Sequence, residues 1–210
     1  MQRNRLVLVA ESPDEQSLLT GWRSAHQEFV FIAGTSSTDE VSLVSLGPRA
    51  QACREPINVT SFSPEPIRLI ANFAATPFEL DGARYACVEA FWQSRSFRME
   101  ERPRIAALDG AAAKRESAKA LYSTHVSYGG DAIAVGTFEH WQLMRRACRA
   151  KFEQNEDARA ALLATGGRPL VHKLPQDSRT IPGVIMAEIW MTLRARLARR
   201  NGMAARDAKS

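Results

Sequence analysis

The segment Val88-Glu89-Ala90-Phe91-Trp92-Gln93 sets a carboxylate, a flat aromatic ring and an amide within about one turn of each other. Residues three and four apart share a helix face, so Glu89, Trp92 and Gln93 project together if this stretch is helical. A carboxylate among Phe91, Trp92 and Phe97 is costly to bury unless it is paired or opens onto a cleft, and the dipole of a helix start favours it. An acid, an aromatic plate and an amide on one face suit a pocket for a sugar and its base. The plainer readings are a capping glutamate at the surface and a tryptophan that belongs to the core.

Two further segments carry polar groups in promising places. Lys151, in Ala150-Lys151-Phe152-Glu153-Gln154-Asn155, either forms a salt bridge along its helix or reaches a phosphate. The loop Asp177-Ser178-Arg179-Thr180-Ile181-Pro182-Gly183 gathers an acid, two hydroxyls and a cation ahead of a helix start. That arrangement suits an anion or simple capping. Other chemistries find no support: the chain has no P-loop, no GxGxxG and no HExxH. His125, His140 and His172 share no ligand spacing, and Cys53, Cys87 and Cys148 are dispersed without a CxxC. Neither a zinc site nor a disulfide framework is expected, nor any cofactor, and the cysteines read as small buried apolar residues in a reducing compartment.

The elements that must position these groups form one substantial core with an appendage, in a chain of 210 residues that is 45% hydrophobic and 24% charged. A short helix is expected over Glu15 to Ala25, then a hairpin of Phe29 to Ile32 with Val41 to Leu46. Pro48 to Pro66 reads as an extended connector, in which Arg54, Asn58 and Thr60 are the most ligand-like residues of an otherwise plain polar stretch. Asp81-Gly82 marks a second hairpin leading into a helix over Cys87 to Phe97. From there the pattern is helical: Arg102 to Leu108, Ala111 to Leu121, Thr137 to Gln154 with Thr137 as N-cap, Glu156 to Ala164 stopped by Thr165-Gly166-Gly167, and Gly183 to Arg199 behind Pro182. The expected fold is α+β, mainly helical, with a small hairpin-built β part toward the N-terminal side. Residues 1–66 form a strand-bearing extension and connector, 67–200 the main domain and 201–210 a basic flexible tail.

No apolar run approaches the roughly 20 residues of a spanning helix, and the signal-like opening through Ala10 stops at Glu11. The cytoplasm is the expected compartment, with no membrane partner. The net charge is +5, and much of the excess lies in Arg194, Arg196, Arg199, Arg200, Arg206 and Lys209. This reads as a solvated helix face and tail, or as weak attraction to polyanions.

Seven segments in order resemble the NADAR family of YbiA-like domains, over about Ile67 to Arg199. They are Leu69-Ile70-Ala71-Asn72-Phe73, Pro77-Phe78-Glu79-Leu80-Asp81-Gly82 with Tyr85, Val88-Glu89-Ala90-Phe91-Trp92-Gln93, Ala113-Lys114-Arg115, Arg149-Ala150-Lys151-Phe152-Glu153-Gln154-Asn155, Leu162-Leu163-Ala164-Thr165-Gly166 and Met191-Thr192-Leu193-Arg194. The resemblance implies a mainly helical α+β fold and hydrolysis of N-glycosidic bonds of phosphorylated ribosyl compounds, either riboflavin-pathway intermediates or ADP-ribosyl-guanine. It implies a catalytic role for Glu89 and Asp177, with Asn72, Phe73, Trp92, Gln93, Lys151, Arg179 and Thr180 around the substrate. The partner so implied is a phosphorylated ribosyl or ADP-ribosyl small molecule, extending to ADP-ribosylated nucleic acid. The chain departs from the pattern at Ser96, where the family has a lysine associated with a Schiff base to the opened sugar. It departs also at His172 for a glutamate, at Ala90 for a histidine, and at Thr180-Ile181-Pro182-Gly183 for a glycine-rich turn. Those departures define the alternative, a non-catalytic module that binds ADP-ribose or NAD. A third reading is an interaction protein that uses its basic tail and N-terminal strands.

Overall fold

The computed structural model describes residues 12–25, 29–35, 41–48, 55–118, 120, 124–176, 178 and 180–207. Helix α1 (Pro13–Ala25) precedes an antiparallel hairpin of β1 (Phe29–Thr35) and β2 (Val41–Pro48), which lies against the last helix. A two-residue strand β3 (Ile57–Asn58) and a 3-10 turn at Ile67–Ile70 follow. Strands β4 (Phe78–Leu80) and β5 (Ala83–Tyr85) then form the hairpin read from Asp-Gly. Asp81 and Gly82 both take positive φ, 51° and 76°, as a tight two-residue turn of this hand requires.

The helical body comprises α2 (Val88–Ser94), α3 (Arg102–Ala106), α4 (Gly110–Ser117), α5 (Phe138–Gln154), α6 (Glu156–Ala164) and α7 (Gly183–Asp207). Thr137 caps α5 as expected, its Oγ1 accepting from His140 N–H at 3.4 Å. Helix α7 runs past Arg199 to Asp207, so residues 201–207 are helical. The fold is α+β and mainly helical.

Two features depart from the sequence reading. The chain is not helical throughout its second half: β6 (His125–Tyr128) and β7 (Asp131–Ala134) form a hairpin whose turn, Gly129-Gly130, has positive φ at both positions. Strand β3 pairs in parallel with β8 (Leu170–Val171), so part of the expected connector is woven into the body. Within it, Asn58 brackets Lys173 through both its amide atoms, and Thr60 builds a turn with Ser63. Both are bonded to their own protein. Arg54 and Cys53 lie outside the described residues.

One core runs through the body. Trp190, Phe91, Phe152, Ile189 and Leu162 are wholly buried, and α2 is buried along its whole length. Arg95 just beyond α2 is buried too. Its guanidinium lies over the rings of Phe91, Tyr128 and Tyr85 at 5.0, 5.6 and 5.8 Å, which joins α2 to the β4–β5 and β6–β7 hairpins by cation–π contact. No helix among the described residues is long and apolar enough to cross a membrane.

Candidate functional site

Helix α2 begins at a cysteine. The Sγ of Cys87 accepts from Ala90 N–H at 3.3 Å, in the role a serine or threonine usually takes, and burial pushes its thiol pKa up. Glu89 follows in the first turn, where a backbone N–H has no partner within its own helix. That N–H donates to the Asn72 carbonyl at 2.9 Å. The two carbonyls before it are held from the other side: Lys151 on α5, wholly buried, donates from Nζ to Ile70 O at 3.1 Å and Ala71 O at 2.7 Å. Residues 70–72 are thus a strap fixed at three consecutive carbonyls between α2 and α5. Gly110 at the start of α4 admits the next residue; a Cβ there would lie 2.9 Å from the Phe73 Cα.

This framework encloses a cavity of about 320 Å³, whose wall includes Asn72, Phe73, Glu89, Trp92, Lys114 and His172. Phe62, Leu174, Met144, Met186 and Ile181 supply most of its remaining apolar surface. A groove of about 730 Å³ between α5, α6 and α7 is larger, but three of its charges are paired with one another, Glu153 accepting from Arg149 at 3.0 Å and Arg200 at 3.1 Å. The smaller cavity alone of these two joins a buried acid to aromatic walls.

Glu89 is 6% exposed. Its Oε1 accepts from Gln93 Nε2 at 2.7 Å and lies 3.8 Å from the Nζ of Lys114, which reaches across from α4. Burial raises the carboxyl pKa above its ordinary value, with Lys114 and then the Gln93 hydrogen bond pulling it back. Trp92 is stacked on His140, rings 4.2 Å apart, and burial lowers that imidazole to about 4, so it is neutral at pH 7. Asn72 points its amide at two thioether sulfurs, Met186 at 3.3 Å and Met144 at 3.7 Å. Sulfur is a weak acceptor, so the amide keeps donor capacity for a ligand. The Nδ1 of His172 lies 2.6 Å from the Val59 carbonyl and must donate to it, while Nε2 has no hydrogen-bond partner among the described residues.

Of the residues singled out in the sequence, Glu89, Asn72, Phe73 and Trp92 therefore meet on one cavity. Gln93 stands behind Glu89 and orients its carboxylate. Lys151 is away from the wall, its ammonium directed at the strap. Thr180 receives the Trp141 indole N–H on its carbonyl at 3.0 Å, and its hydroxyl meets Ser178 Oγ at 3.1 Å. Asp177 and Arg179 lie outside the described residues. Ser96 is exposed beyond the end of α2. Sequence reasoning did not place Phe62, Lys114 or His172 at the wall. Lys114 was visible as part of Ala113-Lys114-Arg115, and His172 as a family position with a changed residue; Phe62 carried no signal. No group of three His, Cys, Asp or Glu side chains placed to hold a metal occurs among the described residues.

The family model described as Bacteriophage protein GP30.3 matches residues 66–195. The chain belongs to this GP30.3 family. It is also 33% identical over 117 residues to N-glycosidase YbiA of Escherichia coli (strain K12) and, to the same degree, to N-glycosidase YbiA of Shigella boydii serotype 4. Those alignments cover 51% of this chain and 64% of each relative, so the chain spans somewhat under two thirds of the curated relatives it matches. The NMR structure of E. coli YbiA superposes with a TM-score of 0.54 at 27% identity, over 73% of this chain and 92% of that one. The GP30.3-family body described above is a YbiA-like NADAR domain.

Proposed function

We propose that the chain is an N-glycosidase that hydrolyses the bond between a phosphorylated ribose and a nitrogen base, as in a riboflavin-pathway-like intermediate or ADP-ribosyl-guanine. The observation that carries this reading is the buried carboxylate of Glu89 on the wall of a mostly apolar cavity, with Asn72 and Lys114 beside it. The similarity to proteins named N-glycosidase YbiA supports it.

Positive charge builds on the sugar ring as its bond to nitrogen stretches. A fixed carboxylate in a site that excludes water stabilises that charge strongly, because it needs no reorganisation when the charge appears. A carboxyl raised above its ordinary pKa is also a better proton acceptor. Water then adds its oxygen to the anomeric carbon, Glu89 takes the water's proton, and the bond to the base breaks with its electron pair leaving on nitrogen. His172 Nε2 and the Lys114 ammonium are the other groups on the wall able to exchange a proton with the departing base. Asp177 is the second carboxylate of the proposal, in line with the paired acids of glycosidic sites, and Arg179 a phosphate holder. Lys151, by contrast, is built into the scaffold and leaves phosphate to other groups. The partner is a ribosyl or ADP-ribosyl phosphate, including the ADP-ribosyl group on nucleic acid, and the compartment is the cytoplasm.

The test is release of base from ribosylated amine phosphates, nucleotides and ADP-ribosylated guanine. Glu89→Gln should lower the rate roughly 100- to 1,000-fold; unchanged release removes Glu89 from the mechanism. Ser96, exposed where the family has its lysine, favours the second reading, a module that binds ADP-ribose or NAD without turnover. Calorimetric binding with no base released from any of these compounds selects that reading.

A further inference from the structure

The turn after β3 holds an aromatic side chain in water. Thr60 N–H donates to Ser63 Oγ at 2.9 Å, Phe62 N–H to Thr60 Oγ1 at 3.2 Å, Ser63 N–H to Thr60 O at 3.2 Å, and Ser63 Oγ to Asn58 O at 2.9 Å. These bonds use backbone and hydroxyl groups only, and Thr60 and Ser63 are buried. The turn therefore keeps its shape whatever side chain stands at position 62. Phe62 itself is 92% exposed and contributes next to nothing to the core, yet it lines the same cavity as Glu89.

Exposure orders the cavity by depth. Glu89 and Trp92, at 6% and 9%, form the floor, while Leu174 at 41% and Phe62 at 92% form the rim. At about 320 Å³ the volume lies at the lower end of small-molecule pockets, which run from roughly 300 to 1,000 Å³. One sugar and one ring system fill it from floor to mouth. With the anomeric carbon beside Glu89, the leaving base points outward, since it departs through the mouth, and the first flat apolar surface it meets there is Phe62.

We propose that Phe62 stacks on the leaving base at the cavity mouth and so sets the preference for a flat base over a small aliphatic amine. This rests on the placement of the sugar at Glu89 given above. Base–aromatic stacking contributes about 1–3 kcal/mol per base, a factor of roughly 5 to 150 in affinity.

The experiment compares guanosine monophosphate with ribose phosphate by titration calorimetry, on the full chain and on Phe62→Ala and Phe62→Trp. The expected result is a roughly 5- to 150-fold loss of nucleotide affinity in Phe62→Ala, ribose phosphate binding unchanged, and recovery in Phe62→Trp. Equal loss for both ligands, or no loss for the nucleotide, overturns the stacking role. So does a wild-type chain that binds neither. Phe62-dependent nucleotide binding without base release from any ribosyl compound overturns the hydrolase reading instead and leaves the stacking role standing.

Discussion

Replacing Lys151 by methionine separates a residue that holds phosphate from one that holds the protein together, and pH is the lever. The ammonium is wholly buried, donates to the Ile70 and Ala71 carbonyls, and has no acidic partner among the described residues. Burial lowers its pKa from 10.5 to about 8. Between those values the unfolded chain carries the proton and the folded chain does not, so stability rises with pH. The destabilisation from the charged form is about 3 kcal/mol below pH 8, and about 2 kcal/mol of it disappears between pH 7 and pH 9.5. Methionine removes that effect but leaves two buried carbonyls without a donor, at roughly 1–3 kcal/mol each. Those terms place Lys151→Met between about 1 kcal/mol above and about 3 kcal/mol below wild type at pH 7, and the variant should lose about 2 kcal/mol more relative to wild type by pH 9.5. Urea unfolding at both pH values measures the difference. Tyr128, whose pKa burial raises, titrates in both proteins and cancels; burial raises the Cys87 and Cys148 thiols too, against a smaller downward pull from Lys151. A difference that stays flat with pH refutes the buried ammonium. A variant of unchanged stability that no longer binds ribose phosphate would return Lys151 to the role first read from the sequence.

Lys114→Met removes the cation that holds the Glu89 carboxyl down, so the acid limb of base release should move to higher pH, and an unmoved limb would uncouple the two residues. Gly110→Ala drives a Cβ to within 2.9 Å of the Phe73 backbone. It should lower stability by roughly 1–3 kcal/mol, as overpacking does, read as a drop in Tm; an unshifted Tm would mean that the α4 start is looser than described.

Local signals placed the elements that depend on local chemistry. Asp81-Gly82 set the β4–β5 turn, Thr137 set the start of α5, and Thr165-Gly166 set the end of α6. Gly129-Gly130 is an equally good hairpin signal, set between two helical patterns. The β3–β8 pair had no such signal, because parallel strands share no turn and here join residues more than a hundred positions apart. A small part of the cavity came from a local signal too. Glu89 and Trp92 share a helix and were legible as a face, whereas Lys114, His172, Phe62, Met144 and Met186 arrive from five other segments that only the tertiary fold brings together.

The same distinction decides what the family motifs mean. Arg149-Ala150-Lys151-Phe152-Glu153-Gln154-Asn155 reads as a binding word, but the structure makes three of its polar residues brackets for the backbone. Lys151 holds the carbonyls of Ile70 and Ala71. Gln154 closes a two-way pair with Glu79 N–H and C=O, both at 2.8 Å, and Asn155 donates to Pro77 O at 2.9 Å. One end of α5 thereby fixes both the strap that carries Asn72 and the β4 strand that leads toward α2. Buried and strand backbone of this kind must be satisfied somewhere, and long-range side-chain bonds to it specify position as well as stability. A chain can therefore keep this motif to keep the scaffold while the reacting groups change. The GP30.3-family match accounts for the framework, and the proposed chemistry turns on the few side chains that face the cavity, where Lys114 approaches Glu89 from α4.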